Sequence, residues 1–193
     1  MNRPSGFRPW SVFPSWMNPI VSDYWFGQLN NCLAWERPQL SVYGSSYKVP
    51  RMTTFLAEEN ISYRYSGYKH FGNGWPPWFR PLLELVNSSC AVSFNGCLLN
   101  LYRNGNDRMG WHSDDEIEID DSKPIASLSF GVSRDFCFKH RSQNFREGLS
   151  LNHGDLLIMH PDCQKEWLHS VPTRKGITGQ RINLTFRCYI RKK

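Results

Sequence analysis

The chain has 193 residues, of which 40% are hydrophobic and 15% aromatic, and it carries 23 Lys and Arg against 17 Asp and Glu. This length favours a single domain, and this hydrophobic share excludes wholesale disorder. The formal net charge of +6 is compatible with a nucleic-acid partner, whereas no apolar run approaches the roughly 18 residues of a membrane-spanning helix. None of the six cysteines forms a C-x-x-C pair, which excludes a zinc ribbon or a thioredoxin-type motif.

In chain order, residues 1–20 hold four prolines and two tryptophans, which predicts an extended segment lying over the body of the protein. A helix is predicted over 22–35 with Ser22 as its N-cap, and a second over 81–90 with Pro81 in its first turn. Much of the rest predicts short strands bounded by turn residues, a pattern typical of a β-sandwich or barrel. The predicted strands are 97–103, 125–131, 134–140, 149–151, 155–159 and 181–190.

His112 and Asp114 are separated by one residue, so on an extended backbone their side chains point to the same side. With one later histidine they would complete a set of two histidines and one carboxylate, which suits non-haem Fe(II). The same spacing recurs at residues 160–162, but the proline between that pair disfavours a strand and His169 follows it closely. The first pair and His169 are separated by enough chain for several strands to return, so we favour that set.

The segment 181–187 alternates strictly, with apolar residues on one face and polar residues on the other. It is either a surface strand with its polar face in water or a barrel strand whose polar face lines a cavity. In the second case its two arginines would bind a dicarboxylate, because the guanidinium fork matches carboxylate geometry. The same alternation occurs earlier in the chain, where Asn100 and Tyr102 share one face and leucines occupy the other. The polar face comprises Arg181, Asn183, Thr185 and Arg187.

Taken together, these motifs resemble the AlkB family of Fe(II)- and 2-oxoglutarate-dependent dioxygenases, and most closely its branch that repairs alkylated duplex DNA. The resemblance runs from about residue 36 to the end of the chain. Further matching segments are 124–131, 134–136 and 153–157. The blocks that carry it are Asn100-x-Tyr102, then Gly105, Asp107 and Gly110, then His112-x-Asp114-Asp115-Glu116, His169 and Arg181-x-Asn183-x-Thr185-x-Arg187.

The resemblance implies a mainly β (α+β) fold, a double-stranded β-helix or jelly roll with N-terminal helices and a nucleotide-recognition lid. We expect residues 1–193 to form one domain. Within it, 1–35 would be an N-terminal extension and helix, 36–80 the lid, and 81–193 a helix and the jelly-roll core.

The resemblance also implies roles for individual residues. His112, Asp114 and His169 map onto the Fe(II) ligands, with both histidines neutral and the aspartate ionised. Arg181 maps onto the residue that pairs with the distal carboxylate of 2-oxoglutarate, and Arg187 onto a second arginine near the metal end of this co-substrate. Further co-substrate residues are Asn100, Tyr102, Asn183 and Thr185, the last two with lesser roles.

The implied activity is oxidative demethylation of N-alkylated bases in DNA, such as 1-methyladenine and 3-methylcytosine, for the repair of alkylated DNA. The reaction uses O2 and 2-oxoglutarate and releases formaldehyde, succinate and CO2. Because a base inside a duplex is shielded, the enzyme must act on a flipped base or a single strand. A monomer without a membrane partner is expected, in the cytoplasm or, in a eukaryote, the nucleus.

Residues 42–80 interleave aromatic and basic side chains, which suits stacking on bases and contact with phosphates, although for any single ring we favour a place in the core. By resemblance, Tyr43 is the tip of a finger inserted in place of the flipped base, and Tyr65 stacks on the damaged base. Arg51 belongs to a matching segment and is assigned to substrate. Glu116 matches a pocket carboxylate suited to cationic methylated bases, or is a solvated acid in an acidic run.

Alternatives remain open at this point. An AlkB-like oxygenase could act on RNA or protein, or the fold could serve as a non-catalytic nucleic-acid-binding module. A nucleophilic Cys–His enzyme would leave the alternating arginine strand unexplained. Six acids fall within 114–121, leaving 11 acids against 23 basic residues elsewhere, which indicates an acidic rim at the site within a basic surface.

Overall fold

The computed structural model describes residues 8–42, 45–65 and 68–191. Its helices are α1 (Pro19–Cys32), α2 (Arg80–Cys90) and α3 (Pro161–Glu166), with a short 3-10 helix at Pro77–Phe79. The strands before α2 are β1 (Trp10–Phe13), β2 (Gln39–Val42), β3 (Ser45–Lys48), β4 (Met52–Ala57), β5 (Ser62–Tyr65) and β6 (Tyr68–Phe71). The later strands are β7 (Gly96–Tyr102), β8 (Met109–His112), β9 (Ile125–Gly131), β10 (Arg134–His140), β11 (Arg146–Leu151), β12 (Leu156–Met159), β13 (Trp167–Val171) and β14 (Arg181–Arg187).

Two antiparallel sheets form the body of the fold. The six-stranded sheet has the order β1-β12-β9-β14-β7-β4 and the four-stranded sheet the order β11-β10-β13-β8. Between them lies an apolar core that includes Tyr102 and Leu157 from the first sheet and Phe138 and Val171 from the second. This sandwich confirms the predicted jelly roll, in which strands of distant sequence meet around one interior.

Helices α1 and α2 cover the other face of the six-stranded sheet. Trp25 and Leu29 of α1 and Leu82 of α2 belong to one buried cluster with apolar side chains of β7, β9 and β14. The apolar face of 181–187 therefore packs against helices, and its polar face is turned toward the sandwich interior. All seven residues of β14 are buried, which excludes the surface-strand alternative.

Helix α1 begins before the predicted position. The side chain of Asn18 accepts a hydrogen bond from the Val21 N–H at 3.0 Å, and Pro19 occupies the first turn, where its missing N–H costs nothing. Ser22 lies inside the helix and donates to the Met17 carbonyl at 3.3 Å, so its prediction as the N-cap was wrong. Helix α2 begins one residue before the predicted start, with Pro81 in its first turn.

The described residues between 39 and 71 form two small antiparallel strand pairs, called here the first and second small hairpins, and one strand of the main sheet. Strand β2 pairs with β3 and β5 with β6, whereas β4 pairs with β7 along the edge of the six-stranded sheet. Of the predicted extended segment 1–20, residues 1–7 lie outside the described residues and 19–20 belong to α1. Between them, β1 pairs with β12 and stacks Trp10 on Phe138 at a centroid distance of 3.8 Å. Among the described residues, no helix combines the length and apolar character that crossing a membrane requires.

Candidate metal and co-substrate site

The three residues predicted as a metal site lie together at one end of the four-stranded sheet. The β8–β13 register places His112 directly opposite His169, with ring centroids 4.2 Å apart. Asp114 follows β8, and its Oδ1 lies 3.7 Å from Nε2 of His112. One potential ligand atom from each of the three residues lies within 4.8 Å of the others.

The ring of His112 is oriented by its own strand. Its Nδ1 is 2.9 Å from the Gly110 carbonyl, which can only accept, so Nδ1 carries the proton and Nε2 is left as the lone-pair donor. The ring of His169 stacks on Phe136 at 5.3 Å. Burial lowers the pKa of both histidines, in the case of His169 to about 3, so both are neutral near pH 7.

Asp114 is a buried carboxylate held ionised by a buried arginine. Burial alone would raise its pKa, but Arg187, at 2.8 Å from its Oδ2, together with the two histidines, lowers the pKa to about 2. Arg187 also donates to the Tyr189 hydroxyl at 3.3 Å. Two neutral imidazoles and one ionised carboxylate are the donor set that suits non-haem Fe(II), so the residues present fit this metal.

A buried guanidinium marks the opposite end of β14. Arg181 is 1% exposed, and its Nη2 donates to the Ser129 hydroxyl at 2.9 Å, whereas its Nε and Nη1 are buried without a hydrogen-bond partner among the described residues. Burial, with a smaller effect of Arg134, lowers its pKa to about 10, so it remains charged. A buried cation with two unused donors fits an anionic ligand such as a carboxylate.

A third group of polar residues lines the cavity next to the histidines. Asn100 accepts from Nε of Arg51 at 2.7 Å, and Asn183 donates to the Ser127 hydroxyl at 2.8 Å. Thr185 donates to Oδ1 of Asn183 at 3.1 Å. One cavity is lined by most of the predicted metal and co-substrate residues: Asn100, Tyr102, His112, Asp114, His169, Asn183, Thr185 and Arg187.

On the predicted substrate side, Glu116 is joined to the second small hairpin. The Tyr63 hydroxyl donates to its Oε1 at 2.8 Å, and its Oε2 is buried without a hydrogen-bond partner in the described part of the chain. Burial and the nearby Asp114 raise the pKa of Glu116. Glu116 is therefore no fully solvated acid but a half-buried carboxylate paired with the buried Tyr63.

The other predicted substrate residues have different outcomes. Arg51 is 4% exposed and bonds to Asn100, which places it beside the predicted co-substrate residues. Tyr43 lies outside the described residues, and for Tyr65 the structure describes the backbone, in β5, but not the side chain.

Two residues that contact the site, Gln164 and Arg141, were not predicted from the sequence. Gln164 of α3 accepts the Asp114 backbone N–H at 2.9 Å, which ties the second ligand to the segment leading into β13. Arg141 donates to the Ser113 hydroxyl and to Asp115, at 2.9 Å from the latter. No local pattern marks either residue, because both contacts join segments more than 20 positions apart.

The sequence matches the model of the 2OG-Fe(II) oxygenase superfamily over residues 10–187. It is 35% identical over 190 residues to "DNA oxidative demethylase ALKBH2" of Arabidopsis thaliana, which covers 84% of this chain and 60% of the relative. It is 35% identical over 157 residues to the protein of the same name of Homo sapiens, which covers 77% of this chain and 60% of the relative.

A third relative is "Alpha-ketoglutarate-dependent dioxygenase alkB homolog 3" of Homo sapiens, 32% identical over 194 residues, covering 95% of this chain and 67% of the relative. The chain thus spans about 60% of the length of the two demethylases. A solved structure described as "The structure of OsALKBH1" superposes with a TM-score of 0.64 at 16% identity, covering 95% of this chain and all of that one, which shows a shared fold.

Proposed function

The chain belongs to the 2OG-Fe(II) oxygenase superfamily, in its AlkB family, and we propose that it removes N-linked methyl groups from DNA bases of the 1-methyladenine and 3-methylcytosine type. The family uses Fe(II), 2-oxoglutarate and O2. Two of the relatives above are named as DNA oxidative demethylases, and this supports DNA as the substrate.

The pair of the buried Tyr63 and the half-buried Glu116 is the observation that carries the proposal, and Glu116 lies two positions after the metal candidate Asp114. Oε1 of Glu116 is occupied by Tyr63, and Oε2 is unused. 1-Methyladenine and 3-methylcytosine are cationic and carry an exocyclic amino group. A buried carboxylate oxygen that needs a donor is complementary to both properties, and its pairing with the base would offset the cost of burying it.

The protein's own contribution is to hold and orient the reactants. His112, Asp114 and His169 would hold Fe(II), which together with 2-oxoglutarate supplies the activation of O2 and the oxidation of the methyl group. Arg181 would bind the distal carboxylate of 2-oxoglutarate with its unused donors. Arg187 keeps Asp114 ionised. Oxidation of the methyl group would give a hydroxymethyl product, which releases formaldehyde and restores the base.

We further propose residues 36–80 as the nucleotide-recognition lid of a single domain spanning 1–193. Strand β4 anchors this segment to the six-stranded sheet, while β5 carries Tyr63 to the site. Within this lid, we propose that Tyr65 stacks on the damaged base and that Tyr43 is the tip of the inserted finger. Arg51 is proposed as a substrate contact. We also propose that the protein acts as a monomer, in the cytoplasm or, in a eukaryote, in the nucleus, where the DNA substrate is.

The test is formaldehyde and succinate release from oligonucleotides carrying one 1-methyladenine or 3-methylcytosine, presented as single-stranded DNA, duplex DNA and RNA. We expect equal amounts of both products, dependent on Fe(II) and 2-oxoglutarate, with DNA the better substrate. His112→Ala should abolish turnover. Release that persists in this variant without metal, or no release from any methylated oligonucleotide by the wild type, would overturn the proposal.

A further inference from the structure

The outer face of the four-stranded sheet carries an exposed aromatic ring next to two cations. Trp111 of β8 is 40% exposed, and the Nζ of Lys139 of β10 lies 5.4 Å from the centroid of its ring. Phe138 of β10 is buried in the core, so its neighbour Lys139 points outward. Lys139 is paired in register with Arg146 of β11, which places both on the same face. We call Trp111, Lys139 and Arg146 the outer patch.

The charge of the outer patch is not balanced within the described residues. Lys139 and Arg146 lie directly opposite each other, and like charges in that position destabilise a sheet. Neither forms an ion pair with a described residue, whereas the nearby acids Asp135 and Glu147 are each paired with another arginine. A polyanion that contacts both cations would remove this repulsion.

The magnitudes favour a nucleotide over Lys139 as the partner of the Trp111 ring. A cation over an exposed ring contributes about 0.5–1 kcal/mol, whereas a base stacked on an aromatic side chain contributes about 1–3 kcal/mol. The flexible lysine side chain can leave the ring and contact a phosphate instead. A bound nucleotide would thus stack its base on the Trp111 ring while its phosphates contact the cations.

The position of the patch connects it to the catalytic end of the sheet. Trp111 directly precedes His112 on β8, and alternation along the strand puts the two side chains on opposite faces. Strand β8 is at the edge of its sheet, so a strand of nucleic acid can pass around that edge from the site to Trp111 and continue over the outer face of β13 to Lys139 and Arg146.

We propose that the outer patch binds an unpaired nucleotide that flanks the damaged base in a single-stranded substrate. The inference rests on the proposed function and extends it to how substrate outside the catalytic pocket is held. An unpaired base is the occupant because duplex bases are already stacked on both faces and gain nothing from an exposed ring.

Trp111→Ala tests the patch, with Phe13→Ala as the matched control, since Phe13 is 44% exposed on the edge strand of the other sheet. The probe is a labelled single-stranded oligonucleotide with a central 1-methyladenine, bound to Mn(II)-loaded protein and followed by fluorescence anisotropy. We expect Trp111→Ala to weaken binding by about 5- to 100-fold and the control to match the wild type. Trp111→Phe should restore most of the affinity.

Two further measurements separate stacking from other causes. In the double variant of Lys139 and Arg146 to Ala, the slope of log affinity against log salt should fall by about 1.4, the value for two phosphate contacts on a single strand. The methylated mononucleotide, which has no flank, should be turned over by Trp111→Ala with wild-type kcat/KM. Unchanged 2-oxoglutarate and metal affinities are expected in this variant.

The inference is overturned if Trp111→Ala binds the oligonucleotide like the wild type, or if it loses duplex and single-strand binding equally. An equally large loss of kcat/KM on the methylated mononucleotide would also overturn it, because it would show that Trp111→Ala disturbs His112. Failure of the wild type to release formaldehyde from any substrate would sink the proposed function instead, because binding to Mn(II)-loaded protein reports on the patch without turnover.

Discussion

Buried charge is the property that the key residues of the site share. Asp114, Arg181 and Arg187 are each at most 4% exposed, although burial of an unpaired charge is costly. Asp114 and Arg187 offset this cost by pairing with each other. Nη2 of Arg181 donates to Ser129, but its Nε and Nη1 have no hydrogen-bond partner among the described residues, so its burial is best explained by an anionic ligand.

Arg181→Ala should raise the concentration of 2-oxoglutarate needed for half-maximal rate by about 10- to 100-fold, the loss expected for charge-assisted hydrogen bonds. Arg181→Lys keeps the charge but not the two-pronged guanidinium. Its 2-oxoglutarate requirement should therefore fall between those of the wild type and Arg181→Ala. The measurement is the 2-oxoglutarate dependence of succinate release, together with oligonucleotide affinity. A large loss of oligonucleotide binding at an unchanged 2-oxoglutarate requirement would contradict the role assigned to Arg181.

At the scale of elements, each of the six predicted strands has a counterpart in the structure, and those with strong apolar patterns, such as β9 and β10, match most closely. Strands β8 and β13, which carry the two histidines, were not predicted. Both are short, and β8 contains a glycine, so partners in the sheet rather than their own residues hold them extended.

Helix α3 also has a role that its short length conceals. Through Gln164 it holds the backbone of Asp114, and outer partners of this kind typically contribute a factor of about 10 to 100 in metal affinity. Gln164→Leu should therefore weaken Co(II) or Fe(II) binding by about that factor, measured by titration of tryptophan fluorescence. Gln164→Glu retains an acceptor and should lose less.

Gln143→Leu is the matched control, because Gln143 is exposed on the hairpin between β10 and β11. Metal affinity equal to the wild type in Gln164→Leu, with the fold intact by circular dichroism, would show that Gln164 has no part in positioning the ligand.

For the whole molecule, the buried His169 and the half-buried His112 link stability to pH. Burial lowers the pKa of both below the ordinary value of 6.5, that of His169 to about 3, so below pH 6.5 the unfolded chain binds protons that the folded chain does not. The metal-free protein should therefore lose stability as the pH falls from 6.5 toward 3. Asp114, with its pKa lowered to about 2, adds a loss only below its ordinary value of 3.8.

The check is the thermal midpoint of the metal-free protein measured from about pH 8 to pH 5, the range in which an unfolded histidine becomes protonated. The midpoint should fall on acidification, and the fall should be shallower in His169→Gln, which has one titrating group fewer. An equal slope in that variant would contradict the assignment to His169.

The sequence by itself determined the family, the identity of the metal candidates and the alternation of polar and apolar residues along 181–187, whereas the structure decided that the polar face is turned inward. The sequence could do so because spacing along a strand and residue type are local properties, and the chemistry of Fe(II) and of a dicarboxylate restricts which types serve. Only the tertiary structure decided that Arg187 pairs with Asp114, that Gln164 holds its backbone and that Tyr63 occupies Glu116. Those contacts join residues 50 or more positions apart, so they depend on how the sheets and hairpins pack, which no local pattern contains.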